Sequence, residues 1–149
     1  MRESVSIVIS GYDQAEWLGV LTNAHSGSVV NLAEVVLEEL GEVTVLVNRT
    51  GLMMQPYRDS REGGLFHLGE VLVAEAHIQL SSGTEGYGMV LGRDTLFAMA
   101  VAVIDAALQD KVMVPEIAAF LDAERASQAA ADETLLRQVE ATRVEMQTF

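Results

Sequence analysis

The stretch Gly86–Asp94, GYGMVLGRD, gathers the residues of this 149-residue chain that are best placed to hold an anion. Gly86, Gly88 and Gly92 spell G-x-G-x-x-x-G, one residue off a dinucleotide-binding fingerprint. Such a fingerprint belongs to a βαβ unit with a parallel sheet, and the surrounding pattern has neither. Arg93 and Asp94 stand where a strand gives way to a helix. There the first N–H groups of the helix and its positive dipole end would hold a phosphate oxygen, with Arg93 adding charge. The same two residues have a structural use: Asp94 caps the helix, and Arg93 pairs with an acidic neighbour.

A second cluster is His67, Glu75 and His77, which share one face of an alternating run. Metal chemistry needs three or four such ligands, and the remaining histidine, His25, sits on a separate helix. A polar or interface-facing sheet surface is the plainer reading, and no metal is assigned. No nucleophile-base-acid spacing is legible, because triads are defined by geometry and not by sequence position. The single lysine, Lys111, follows no glycine loop, so there is no Walker A motif. With no cysteine, the chain carries neither a disulfide nor an iron–sulfur cluster of its own.

Composition narrows the classes further. Nine basic residues stand against 22 acidic ones, a formal charge of −13 that repels nucleic acid and phosphate at long range. An anionic ligand therefore needs a local Arg and N–H cluster, or a partner subunit. Half of the residues are apolar, enough for a core, but the apolar runs are short. None approaches the roughly 18 residues that a membrane span requires. The opening MRESVSIVISGYD lacks the apolar run of a signal peptide, so a cytoplasmic protein is expected.

The elements that must position these residues follow from periodicity. Residues 1–12 read as a flexible arm. Ala15–His25 puts Trp17, Leu18, Leu21, Ala24 and His25 on one helical face. Gly27–Ser28 breaks that helix, Ser28 caps the next, and Gly41 ends it, giving an αα-hairpin. Val43–Val47 alternates as a strand, Asn48–Gly51 reads as a turn, and Leu52–Tyr57 continues extended with Pro56 at an edge. Arg58–Gly64 is polar. The longest alternation runs from Phe66 to Leu80, and Glu85–Leu91 returns as a further strand. Asp94 then caps an apolar helix whose Leu96, Phe97, Ala100, Val101, Ile104, Ala107 and Leu108 cover more than half its circumference. Pro115 opens a final helix to about Thr142, roughly 39 Å long, with Glu133 and Arg137 as a surface pair. Its weak apolar stripe suits a helix that reaches toward another chain. Val144, Met146 and Thr148 alternate like a closing strand. The sum is a single α+β domain over 1–149: an antiparallel meander of about four strands with the αα-hairpin, a buried helix and a long C-terminal helix.

Laid out in this way, the sequence resembles the PhnG family of the carbon–phosphorus lyase system. Thr50-Gly51-Leu52, the strand Phe66–Leu80, the block Gly83–Asp94 and Thr142-Arg143-Val144-Glu145 carry the likeness, in the family's order, over roughly residues 15–149. Arg49 stands where the family usually has an acidic residue. Met146 and Gln147 stand where it has aromatic ones, ahead of a basic tail that this chain lacks after Phe149. A shorter or differently packed terminal contact with a partner is expected.

The resemblance implies a transferase subunit working with PhnH-, PhnI- and PhnJ-like subunits and an ATPase-like one. The assembly displaces the purine base of ATP or GTP with methylphosphonate, giving α-D-ribose 1-methylphosphonate 5-triphosphate. A partner carrying an iron–sulfur cluster and S-adenosylmethionine then cleaves the carbon–phosphorus bond. The residues limit this chain to an accessory share: no bound cofactor, no assigned catalytic residue, and an active site mostly on its partners. For phosphate contact, Arg93 with the Gly92–Asp94 N–H groups is the first choice and Arg143 the second. The alternatives are a non-catalytic module that self-assembles through its sheet edge, and an independent enzyme built on His67, Glu75 and His77.

Overall fold

The computed structural model describes residues 8–58 and 65–147, and side chains within 8–54 and 69–142. The chain runs β1 (Val8–Ile9), β2 (Tyr12–Asp13), α1 (Gln14–Asn23), α2 (Ser26–Leu40), β3 (Val43–Arg58), β4 (Leu65–Leu80), β5 (Glu85–Leu91), α3 (Thr95–Gln109) and α4 (Val114–Gln147). This is the α+β arrangement expected, with the helices on one face of an antiparallel sheet.

The core forms around α3. Eleven of its 15 residues are buried, so it has no solvent face to speak of and must be covered on opposite sides. One side meets the sheet, whose strands are ordered β3-β4-β5; the other meets α2, with α1 and the start of α4 closing the ends. Register and alternation put Ala74, Ala76 and Ile78 of β4 on the covered face together with Gly86, Gly88 and Val90 of β5. Ile78, Val101, Ile104 and Leu108 are among the side chains excluded from water there, each contributing about 1.5–3 kcal/mol of burial.

Four local expectations are corrected. Of the arm expected over residues 1–12, residues 1–7 lie outside the described residues, and residues 8–12 instead join Asp13 in the hairpin β1–β2, in which Val8 pairs with Asp13 and Ile9 with Tyr12. Ser10 (φ 51°) and Gly11 (φ 87°) both take positive φ, the conformation of a two-residue hairpin turn. Ile9 and Tyr12 are buried, and the Tyr12 hydroxyl donates to Asp122 of α4 at 2.6 Å. Second, α2 starts at Ser26, and His25 is its N-cap without a side-chain bond. The break after α1 thus falls at Ala24–His25 and not at Gly27–Ser28, and Ser28 lies inside the first turn of α2 instead of capping it. Gly41 (φ 75°) ends it as expected.

Third, Asn48–Gly51 is not a turn. β3 runs unbroken through it, with Asn48, Arg49, Thr50 and Gly51 paired to Ala76, Glu75, Ala74 and Val73. The ladder to β4 outweighs the local turn preference, and the irregularity sits instead between Val45 and Val47. The main sheet therefore has three strands. Pro56 lies in an edge strand at a second register shift, where its missing N–H is least costly. Fourth, Val144–Gln147 is helical, because α4 continues to Gln147. Extending an existing helix costs little, whereas a four-residue alternation without a paired strand has nothing to hold it.

Two elements project from this body. β5 pairs only with Val73–Gln79, so β3 and β4 run on beyond it as a two-stranded ribbon. On α4, Ile117 and Leu121 are buried, Gln128 donates to the Val20 carbonyl, and residues 129–142 are all exposed.

Candidate functional site

Gly86 and Gly88 are close-approach glycines. A Cβ on Gly86 would stand 2.2 Å from the Ala102 carbonyl oxygen, and one on Gly88 would stand 2.3 Å from that of Ala98. Strand β5 thus lies directly on the backbone of α3, against its alanines. The G-x-G pattern serves helix–strand packing in an antiparallel sheet, not a nucleotide loop.

Tyr87, between these glycines, faces two networks. Its backbone N–H, on the edge of β5 away from β4, donates to Asp105 Oδ2 at 3.0 Å. Asp105 has no exposed surface and also accepts from Trp17 Nε1 (2.8 Å), Gln14 Nε2 (3.2 Å) and Gln109 Nε2 (3.0 Å). Every partner is an N–H donor, the surroundings of a carboxylate. Burial pushes the Asp105 pKa up, while the bonds from Tyr87, Trp17, Gln14 and Gln109 hold it back. One side chain thereby ties α1, β5 and α3 together.

On the opposite face of the sheet, the Tyr87 hydroxyl donates to Glu75 Oε2 at 2.6 Å, and Arg49 Nε lies 3.4 Å from Glu75 Oε1. Burial, then the bond to Glu75, pushes the Tyr87 phenol up to about 12. His77 stands edge-on to the Tyr87 ring, 6.1 Å between centroids, and 3.6 Å from Glu85. Arg49, Gly51, Met53, Val73, Glu75 and Met89 line a hollow of about 330 Å³ on this face. It combines one guanidinium and one carboxylate with thioether and aliphatic walls, a surface suited to contact rather than to proton transfer.

Three of the expected phosphate residues, Gly92, Arg93 and Asp94, fall at the β5–α3 junction. Gly92 (φ 99°) makes the turn, and its N–H already donates to the Leu72 carbonyl. Asp94 Oδ1 takes the Phe97 N–H at 2.9 Å, the cap expected of it. Arg93 is exposed and makes no ion pair among the described residues. Arg143 lies on α4 beyond the exposed residues 129–142, and its side chain is outside those described. His67 pairs with Pro56 on the ribbon, and its side chain is also outside them. Glu75 and His77 turn to different partners, and among the described residues no group of three or more His, Cys, Asp or Glu could hold a metal ion.

Sequence reasoning missed Asp105 and Tyr87. The signal for Asp105 was present as the lone charge in Leu96–Leu108. Tyr87 gave none, since its role depends on the register of β4 and β5.

The family model described as Phosphonate metabolism protein PhnG matches residues 13–149, from the N-cap of α1 onward. The chain belongs to the PhnG family. It is 32% identical over 142 residues to the alpha-D-ribose 1-methylphosphonate 5-triphosphate synthase subunit PhnG of Rhizobium meliloti (strain 1021), covering 90% of this chain and 86% of that one. The chain is thus tied to phosphonate metabolism and to membership of a synthase complex. No helix among the described residues is long and apolar enough to cross a membrane.

Proposed function

We propose that this chain is an accessory subunit of a transferase that displaces the purine base of ATP or GTP with methylphosphonate, forming α-D-ribose 1-methylphosphonate 5-triphosphate. The observation that carries this reading is the 32% identity, along 90% of the chain, to a subunit of that synthase. Its partners are PhnH-, PhnI- and PhnJ-like subunits, and the assembly works in the cytoplasm, where its nucleotide substrates are made. The reacting groups belong mostly to those partners. In support, the buried carboxylate of this chain, Asp105, is fully engaged in holding α1, β5 and α3, and the chain has a single lysine for a triphosphate. The iron–sulfur cluster and S-adenosylmethionine of the later cleavage step lie on a partner, in keeping with the absence of cysteine here.

Where this chain touches substrate, Arg93 is the contact to a phosphate oxygen, with the Arg93 and Asp94 amides beside it since that of Gly92 is taken by the Leu72 carbonyl, and Arg143 is a second cation. Arg93 is exposed beside a helix N-terminus, an arrangement that favours anions. Purine release from ATP and methylphosphonate by the reconstituted complex tests both parts. Omitting this chain should abolish release, and unchanged release without it would end the subunit reading. Arg93→Ala should lower release with assembly intact; full activity would remove the phosphate role alone.

A further inference from the structure

We infer that the projecting half of α4 is a docking helix, received by an apolar groove with a basic rim on a partner subunit. The inference rests on the subunit reading above and adds the surface and the chemistry of the contact. Residues 129–142 are all exposed, about 21 Å of helix beyond the bond from Gln128 to the Val20 carbonyl. Leu135, Leu136 and Val139 are 60%, 64% and 57% exposed, and their spacing of three and four residues makes one continuous patch.

Charge selects the occupant. Asp132, Glu133 and Glu140 surround the patch, with Arg137 turned back onto Glu133. A second copy would bring the same acidic rim against this one, from a chain whose formal charge is −13. A groove with Leu- or Met-lined walls and Lys or Arg on its rim satisfies both features.

The test is co-expression of the tagged chain with PhnH-, PhnI- and PhnJ-type subunits. The wild-type chain should retain at least one of them through purification. Leu135→Gln/Leu136→Gln/Val139→Gln keeps helix-forming residues and should weaken retention at least about tenfold, as removal of a central apolar anchor does. Asp132→Lys/Glu140→Lys should weaken it as well and remove its salt dependence. The thermal midpoint of the isolated triple variant should match wild type, since Leu135, Leu136 and Val139 are all exposed. Wild-type retention of subunits by the triple variant overturns the docking helix while leaving the subunit reading standing. Capture of no subunit by the wild-type chain overturns both. Light scattering that finds a wild-type dimer and a monomeric triple variant makes a second copy the occupant and overturns the inference.

Discussion

Tyr87 is joined to Asp105 by a 3.0 Å bond from its backbone N–H, while its hydroxyl meets Glu75 on the other face of the sheet. The bond satisfies one N–H on the open edge of β5 with a side chain from the central helix. It also fixes the height at which the Tyr87 ring stands over the Arg49–Glu75 pair. The core and the open face are thus coupled through one residue.

Asp105→Asn should destabilise the fold by about 1–3 kcal/mol, the cost of leaving buried donors unmatched. However the amide is turned, its NH2 group faces N–H donors that the carboxylate oxygens accept. Chemical denaturation at neutral pH measures the loss. The pH dependence has a definite sign. The folded-state pKa of Asp105 is raised above 3.8, so its contribution is full below that value and declines as pH rises through the folded pKa. The Asn variant should lack this slope in melts across the acid range, and an identical slope would show that Asp105 does not titrate differently on folding.

Gly88→Ala tests the close approach of β5 to α3. The added carbon would stand 2.3 Å from the Ala98 carbonyl oxygen and 2.9 Å from the Ala102 nitrogen, so strand and helix must separate. A loss of at least about 1–3 kcal/mol is expected, as for other overpacked cores. Gly51→Ala is the control: a Cβ there meets nothing within 4 Å, and its melt should match wild type within about 0.5 kcal/mol.

These positions also mark what was legible in the sequence. β5 and α3 were readable to within a residue because their signals are local. Glycines bound the strand, Asp94 caps the helix, and the apolar run fills most of its circumference. β3 misled because Asn48–Gly51 has turn composition, while its conformation is decided by Glu75, Ala74 and Val73 more than 20 residues away. Val144 and Met146 misled because a short alternation fits two periods, and the helix arriving at Thr142 settles which prevails. Asp105 was visible as an oddity but not as a hub, since its donors come from Gln14, Trp17, Tyr87 and Gln109. Gly92, Arg93 and Asp94 were placed at a strand-to-helix junction, and the β5–α3 turn is one. The junction itself says nothing about substrate.

Tyr87 should titrate late. Its phenol is pushed up from 10.0 to about 12, first by burial and then by Glu75. Its contribution to stability is therefore present below 10.0 and lost as pH rises through about 12. Absorbance titration of wild type against Tyr87→Phe isolates this phenol. Glu75→Gln removes the charge and should bring the midpoint part of the way back toward 10.0, burial keeping the remainder. A midpoint unchanged by Glu75→Gln would mean that the bond is not formed in solution.

Asp94 separates capping from ligand contact at the β5–α3 junction. Its carboxylate takes the Phe97 N–H, so Asp94→Ala should cost about 1 kcal/mol, whereas Asp94→Ser keeps a capping oxygen and should cost little. Purine release by the reconstituted complex then divides two roles. If Asp94 serves only as a cap, activity follows stability, lowered in the Ala variant and retained in the Ser variant. If its charge opposes an incoming phosphate beside Arg93, the Ser variant should bind ATP more tightly than wild type while melting at the same temperature. Equal ATP affinity in wild type and Ser variant would leave Asp94 as a cap alone, with Arg93 the one side chain of the junction still to be tested against substrate.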